Sequence, residues 1–168
     1  MYHLLLIPIV YLAAVLDAGL ADVLRIGRAT PNLLALAAVV WVLATPGRRA
    51  FLVGGGIMLL GDLAAPGRIG VGTAWMLVVA YGITRLRTHV GLDHLAAQVA
   101  AVGVAITCWT AGVAVTGRLL GELPMAWTTI AGRAAGVGMY TAGIALPVLM
   151  VLGWIREPAV ARHSKVGV

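Results

Sequence analysis

"GIMLLGDLAAPGRIG", residues 56–70, carries an apolar run as far as Asp62 and breaks it with Pro66, Gly67 and Arg68 before apolar residues resume. That order marks the end of one apolar helix, a tight polar turn and the start of the next. The same alternation recurs outward in both directions. Apolar runs cover residues 3–22, 32–45, 50–65, 69–86, 95–116 and 125–155. They are separated by "RIGRATPN" (25–32), "TPGRR" (45–49), "APGR" (65–68), "RLRTHVGLD" (85–93) and "TGRLLGELP" (116–124). Of the 168 residues, 61% are hydrophobic and 11% charged, whereas soluble domains carry roughly a quarter charged residues. With a mean hydropathy of +1.01, the composition predicts an integral membrane protein. The expected fold is all-α, one domain of six transmembrane helices joined by short loops in a compact bundle.

A helix needs roughly 20 residues to cross the hydrocarbon, so the second and third runs are short. They read as two spans and not as one re-entrant pair, because Pro46, Gly47, Arg48 and Arg49 are too polar to sit in lipid without a partner. The last run is longer than one crossing requires. Its first turns, "MAWTTIAG", read as an interfacial lead-in with Trp127 at the headgroups, leaving a span of about 133–155 and a basic cytoplasmic tail over 156–168, of which "ARHSKVGV" at 161–168 is expected to be disordered. The N-terminal run has a signal-like "AGLA" at 18–21 but no positive n-region, and Asp17 lies inside it, so an uncleaved first span is expected.

The net charge of +6 sits at segment ends and speaks to membrane orientation, not to nucleic acid. With a cytoplasmic N-terminus, the inner side holds Arg48, Arg49, Arg85, Arg87, Arg156, Arg162 and Lys165, and the outer side Arg25, Arg28, Arg68 and Arg118. That asymmetry places both termini inside.

No catalytic constellation emerges. His89, Asp93 and His94 are loosely spaced in a basic loop, without a fourth metal ligand, and read as solvated. Ser164, the only serine, lies in the tail, which argues against a serine hydrolase. "GGG" at 54–56 follows no strand and precedes no GK[ST], so it is not a phosphate loop. The single Cys108 lies within an apolar run and founds no disulfide framework. Glycine fits helix packing better: Gly54, Gly55, Gly56 and Gly61 on the third span, and Gly132, Gly136, Gly138 and Gly143 on the sixth, permit close backbone approach.

Charges inside the membrane are the informative residues, because an isolated one costs about 2.5–3.5 kcal/mol on insertion scales. Asp17 and Asp62 lie late in outward-going helices and Arg133 lies early in an inward-going one, so all three fall at one outer depth. They are expected to form a polar cluster in the outer half of the bundle. The alternative is that each snorkels separately to the outer headgroups.

The stretch from Thr30 to Arg87 resembles the rod shape-determining protein MreD family. The resemblance lies in the order of Pro31 and Asn32, then Gly61 and Asp62, then Gly67, Gly70 and Gly72, then Tyr81, Gly82 and Arg85. The last run, with small residues before Pro147, is similar to the family's final helix. Two departures stand out: Asn32 occupies the place of an aspartate, and 116–124 matches nothing in the pattern. The resemblance implies a non-enzymatic inner-membrane component of the bacterial elongation machinery. It implies no cofactor or metal, and a direct MreC-like partner. Through that partner it implies contact with MreB, RodA and a class B penicillin-binding protein, in service of lateral peptidoglycan synthesis and cell shape. It also implies a fold like that of the S-components of energy-coupling factor transporters. A vitamin-binding S-component is therefore the competing expectation, with a pocket in the outer half, Trp75 and Trp127 as its best aromatic contacts, and Ala14 with Ala18 for docking.

Overall fold

The computed structural model describes residues 11, 13, 15–17, 19, 32–45, 47–64, 69–89 and 94–163, the last ten of these through their backbone alone. Several residues singled out above lie outside that set: Ala14, Ala18, Arg25, Arg28, Pro31, Pro46, Pro66, Gly67, Arg68, Asp93, Ser164 and Lys165.

The described residues are helical, with no strand among them. Helix α1 is described at residues 11, 13, 15–17 and 19. It is followed by α2 (Leu33–Ala44), α3 (Arg48–Ala64), α4 (Val71–His89), α5 (Leu95–Leu119) and α6 (Trp127–His163).

At the centre lies α2, whose Leu34, Ala35, Leu36, Ala38, Val39, Val40, Val42 and Leu43 are all buried. A helix apolar on every side is a core helix. Its 12 residues, ~18 Å at 1.5 Å per residue, suit a helix enclosed by protein. Around it the helices pack through glycine. A Cβ on Gly54 would lie 2.7 Å from Val42 Cγ2, and one on Gly61 would lie 2.5 Å from Leu34 Cδ2, so α3 runs antiparallel to α2 with its backbone close against it. Gly55 meets Leu77 of α4 in the same way, at 3.0 Å. Between α5 and α6 a Cβ on Gly138 would fall on Thr107 and lie 2.8 Å from the Gly103 carbonyl oxygen, so only hydrogen fits there.

Two helices, α5 over Leu95–Leu119 and α6 over Trp127–Gly153, are long and apolar enough to cross a membrane. Among the described residues, α2, α3 and α4 fall short of that standard for physical reasons. Helix α2 has 12 residues and α3 has 17, opened by Arg48 and Arg49, while α4 carries Arg85 and Arg87 in its last turns. The ends also differ from expectation. Helix α6 is continuous from Trp127, so most of the lead-in expected over "MAWTTIAG" is helical, and the helix runs through His163 into the segment expected to be disordered. Helix α3 takes in both arginines of its preceding turn, where Gly47 holds φ at +67°.

Candidate functional site

The site is built from the starts of two helices. The first backbone N–H groups of a helix have no partner within it, and they form the positive end of its dipole. At the start of α2, Asn32 adopts extended backbone and its side-chain oxygen accepts from Ala35 N at 2.7 Å, an N-cap. Asp17 of α1 supplies a second acceptor there, its Oδ1 receiving Leu33 N at 2.8 Å. Two polar side chains, one from the same chain segment and one from a neighbouring helix, therefore hold the start of the core helix.

The start of α4 is held from further away. Asp62, near the end of α3, presents a single oxygen, Oδ2, to three donors: Gly70 N, Thr73 N and Thr73 Oγ1, each at 2.9 Å. The carboxylate thus closes the α3–α4 turn and caps α4 in one arrangement. Gly70 takes φ +97°, a left-handed conformation that brings its N–H onto Asp62 and that a side chain would oppose. Gly72 is required for a different reason: a Cβ there would collide with the other carboxylate oxygen, Asp62 Oδ1. The Gly72 carbonyl is itself held, accepting from Trp109 Nε1 of α5 at 2.9 Å.

Above these contacts lies a cavity of about 300 Å³ whose lining includes Asp17, Asn32, Asp62, Trp109, Thr116 and Glu122. The expected cluster is therefore assembled in two of its three members. Asp17 and Asp62 share the cavity, whereas Arg133 is exposed on α6, is not part of the lining and, among the described residues, makes no ion pair with either aspartate. Backbone N–H groups at helix starts provide the positive potential that the sequence reading sought in an arginine.

The tryptophans considered as ligand contacts are engaged within the protein. Trp75 donates from Nε1 to Thr116 Oγ1 at 2.9 Å and its ring covers Gly112, while the Arg118 guanidinium stacks on Trp127 at 4.4 Å from the ring centroid. Further along α4, Arg85 Nε donates to the exposed Tyr81 hydroxyl at 3.1 Å.

Of the expected packing glycines, Gly54 and Gly55 are buried in contacts, whereas a Cβ on Gly56 or Gly132 would meet nothing within 4 Å; Gly136 is half-buried, and of the motif residues Gly82 is likewise open and Pro147 is exposed within α6. Among the described residues no three His, Cys, Asp or Glu side chains converge on a metal position.

Thr73, Trp109, Thr116 and Gly112 were not singled out from the sequence. None of them left a local signal there; Thr73 is the third residue inside α4 and not its cap.

Compared with protein-family models, curated proteins and solved structures, the chain matches none.

Proposed function

We propose that this chain is a non-enzymatic, multi-pass component of the bacterial inner membrane, of the MreD kind. In that role its helices form a six-span bundle with both termini cytoplasmic. It serves as a rigid platform for an MreC-like single-span protein and, through it, for MreB, RodA and a class B penicillin-binding protein during lateral wall synthesis. The observation that carries this reading is the ordered set of residues from Asn32 to Arg85, together with the mechanical work its best-placed members do. Asn32 caps α2, Asp62 ties the end of α3 to the start of α4, and Gly70 and Gly72 make room for that tie. A motif whose polar atoms are consumed in fixing helix starts suits a scaffold better than an active site.

The physics of the remainder agrees. Asp17 and Asp62, which line the cavity, accept from backbone donors, so their hydrogen-bonding capacity is already partly taken up. Successive helices from α2 to α6 are separated by few residues, which leaves no room between them for an inserted catalytic module. Gly-lined contacts give close-packed helices in lipid, where packing and not hydrophobicity drives association.

The S-component reading keeps one favourable observation, the cavity of about 300 Å³ beside Asp17 and Asp62. The two readings separate on co-purification. The scaffold reading expects the tagged full chain, extracted in mild detergent after co-expression, to bring down an MreC-like protein in fixed ratio. Recovery of the chain without that protein, and with a vitamin tightly bound, would reverse the choice.

A further inference from the structure

Helices α5 and α6, the two long and apolar enough to cross a membrane, pack closely against each other. A Cβ on Gly103 would lie 3.2 Å from Ala142 Cβ, beside the contact of Gly138 with Thr107. On the outer side of this crossing, Ala96, Ala100 and Gly103 recur along α5 at helical spacing. Their small size hollows that side, and with Met139, Ala142 and Leu146 of α6 they line a trough of about 700 Å³. The trough runs along α5 from Leu95 to Cys108, ~20 Å at 1.5 Å per residue. Thr107 and Cys108 bring the only polar side-chain atoms to its lining, and the Thr107 hydroxyl already donates to the Gly103 carbonyl oxygen at 2.8 Å. What the trough offers a ligand is apolar contact.

Its two ends differ. The Leu95 end coincides with the start of α5, where the exposed His94 takes the N-cap position without a side-chain hydrogen bond to the helix. A helix start in that condition presents unpaired N–H groups and the positive end of its dipole, which favour a phosphate. By the order of the helices this end of the bundle also takes Arg48, Arg49, Arg85 and Arg87, with Arg156 and Arg162 further along α6, against Asp93 and Glu157. The described acids, Asp17, Asp62 and Glu122, line the cavity at the opposite end.

We propose that the trough holds one acyl chain of an anionic phospholipid, with the phosphate at the start of α5. This rests on the reading of the chain as a membrane protein and on nothing about its protein partner. Length selects the occupant: one leaflet of hydrocarbon is ~15 Å deep, whereas a crossing helix needs ~30 Å of contact and would outrun the trough. The apolar lining suits a hydrocarbon chain, and the basic rim at the α5 start suits an anionic headgroup over a zwitterionic one.

The test places the full chain in phosphatidylcholine vesicles doped with either phosphatidylglycerol or phosphatidylcholine that carries a photoreactive diazirine near the end of one acyl chain. Labelled residues are mapped by peptide mass. In the wild type, labelling of Val104, Cys108 and Met139 by phosphatidylglycerol is expected to exceed that by phosphatidylcholine at least about fivefold. Ala100→Phe fills the trough and should cut that labelling at least about fivefold. His94→Glu sets a carboxylate at the phosphate position and should bring phosphatidylglycerol down to the phosphatidylcholine level. Gly82→Leu, on the exposed face of α4 with open space around it, should change nothing. Ala100 and His94 are also exposed, and flotation with vesicles and an unchanged helical circular dichroism spectrum check that each variant folds. Equal labelling by the two lipids, labelling that survives Ala100→Phe, or a trough left unlabelled while the surrounding surface reacts overturns the proposal and leaves the membrane reading intact. A wild-type chain that does not float with vesicles overturns both.

Discussion

Replacing Asp62 separates a structural lock from an ionic one. Three donors converge on one carboxylate oxygen, Oδ2, each at 2.9 Å, and the site is half-buried. In Asp62→Ala all three lose their acceptor. Hydrogen bonds to a charged group contribute about 1.5–3 kcal/mol each when well shielded, and sharing one oxygen in a half-exposed site reduces the sum to about 2–4 kcal/mol. For a chain of this size each kcal/mol moves the thermal midpoint by about 2–4 °C, so unfolding in a fixed detergent is expected about 4–16 °C lower. In Asp62→Asn the amide oxygen takes the place of Oδ2 and keeps the three donors. Only the charge is lost, at a cost of about 1 kcal/mol. Arg133→Ala, at an exposed position without an ion pair to Asp62, is expected within about 0.5 kcal/mol of wild type. The measurement is the midpoint of all four proteins side by side. Equal damage from Asn and Ala at position 62, matched by Arg133→Ala, would refute the lock and restore the ion pair.

Gly72→Ala pushes a Cβ into the Asp62 carboxylate and is expected to cost about 2 kcal/mol; combined with Asp62→Ala the loss falls short of the sum by at least 0.5 kcal/mol, as a double-mutant cycle on thermal midpoints would show. Gly112→Ala would put a methyl group into the Trp75 ring, for a loss of about 1–3 kcal/mol and an altered near-ultraviolet circular dichroism spectrum as the indole is displaced. Asn32→Ala removes the α2 cap and should lower stability by about 1 kcal/mol, whereas Asn32→Ser, a comparably good cap that adds no charge beside Asp17, should leave the midpoint near that of wild type.

The helices were legible in the sequence because apolar runs punctuated by Pro-Gly turns leave little else to form, and the starts of α2, α4 and α5 fall within two residues of expectation. The span count was not legible in the same way. The short second run was visible as short, but length measured along the sequence does not show that α2 is enclosed by protein or that Arg48 and Arg49 join α3. At the site, the shared location of Asp17 and Asp62 was legible from their matching depth. Their partners were not. Opposite charges are visible in a sequence, whereas the unpaired N–H groups of a helix start become acceptor-seeking only once the fold points them at a carboxylate. Gly72 was recognised as part of a pattern, but its reason, room for Asp62, is a tertiary fact.

The proposed role is that of a docking platform in the membrane and not of a ligand-binding or catalytic unit. Native mass spectrometry of the full chain co-expressed with an MreC-like protein and released from detergent tests it most directly. The account predicts a complex of the two chains with no added mass other than phospholipid. A chain that flies alone, carrying the added mass of a bound vitamin, would contradict it.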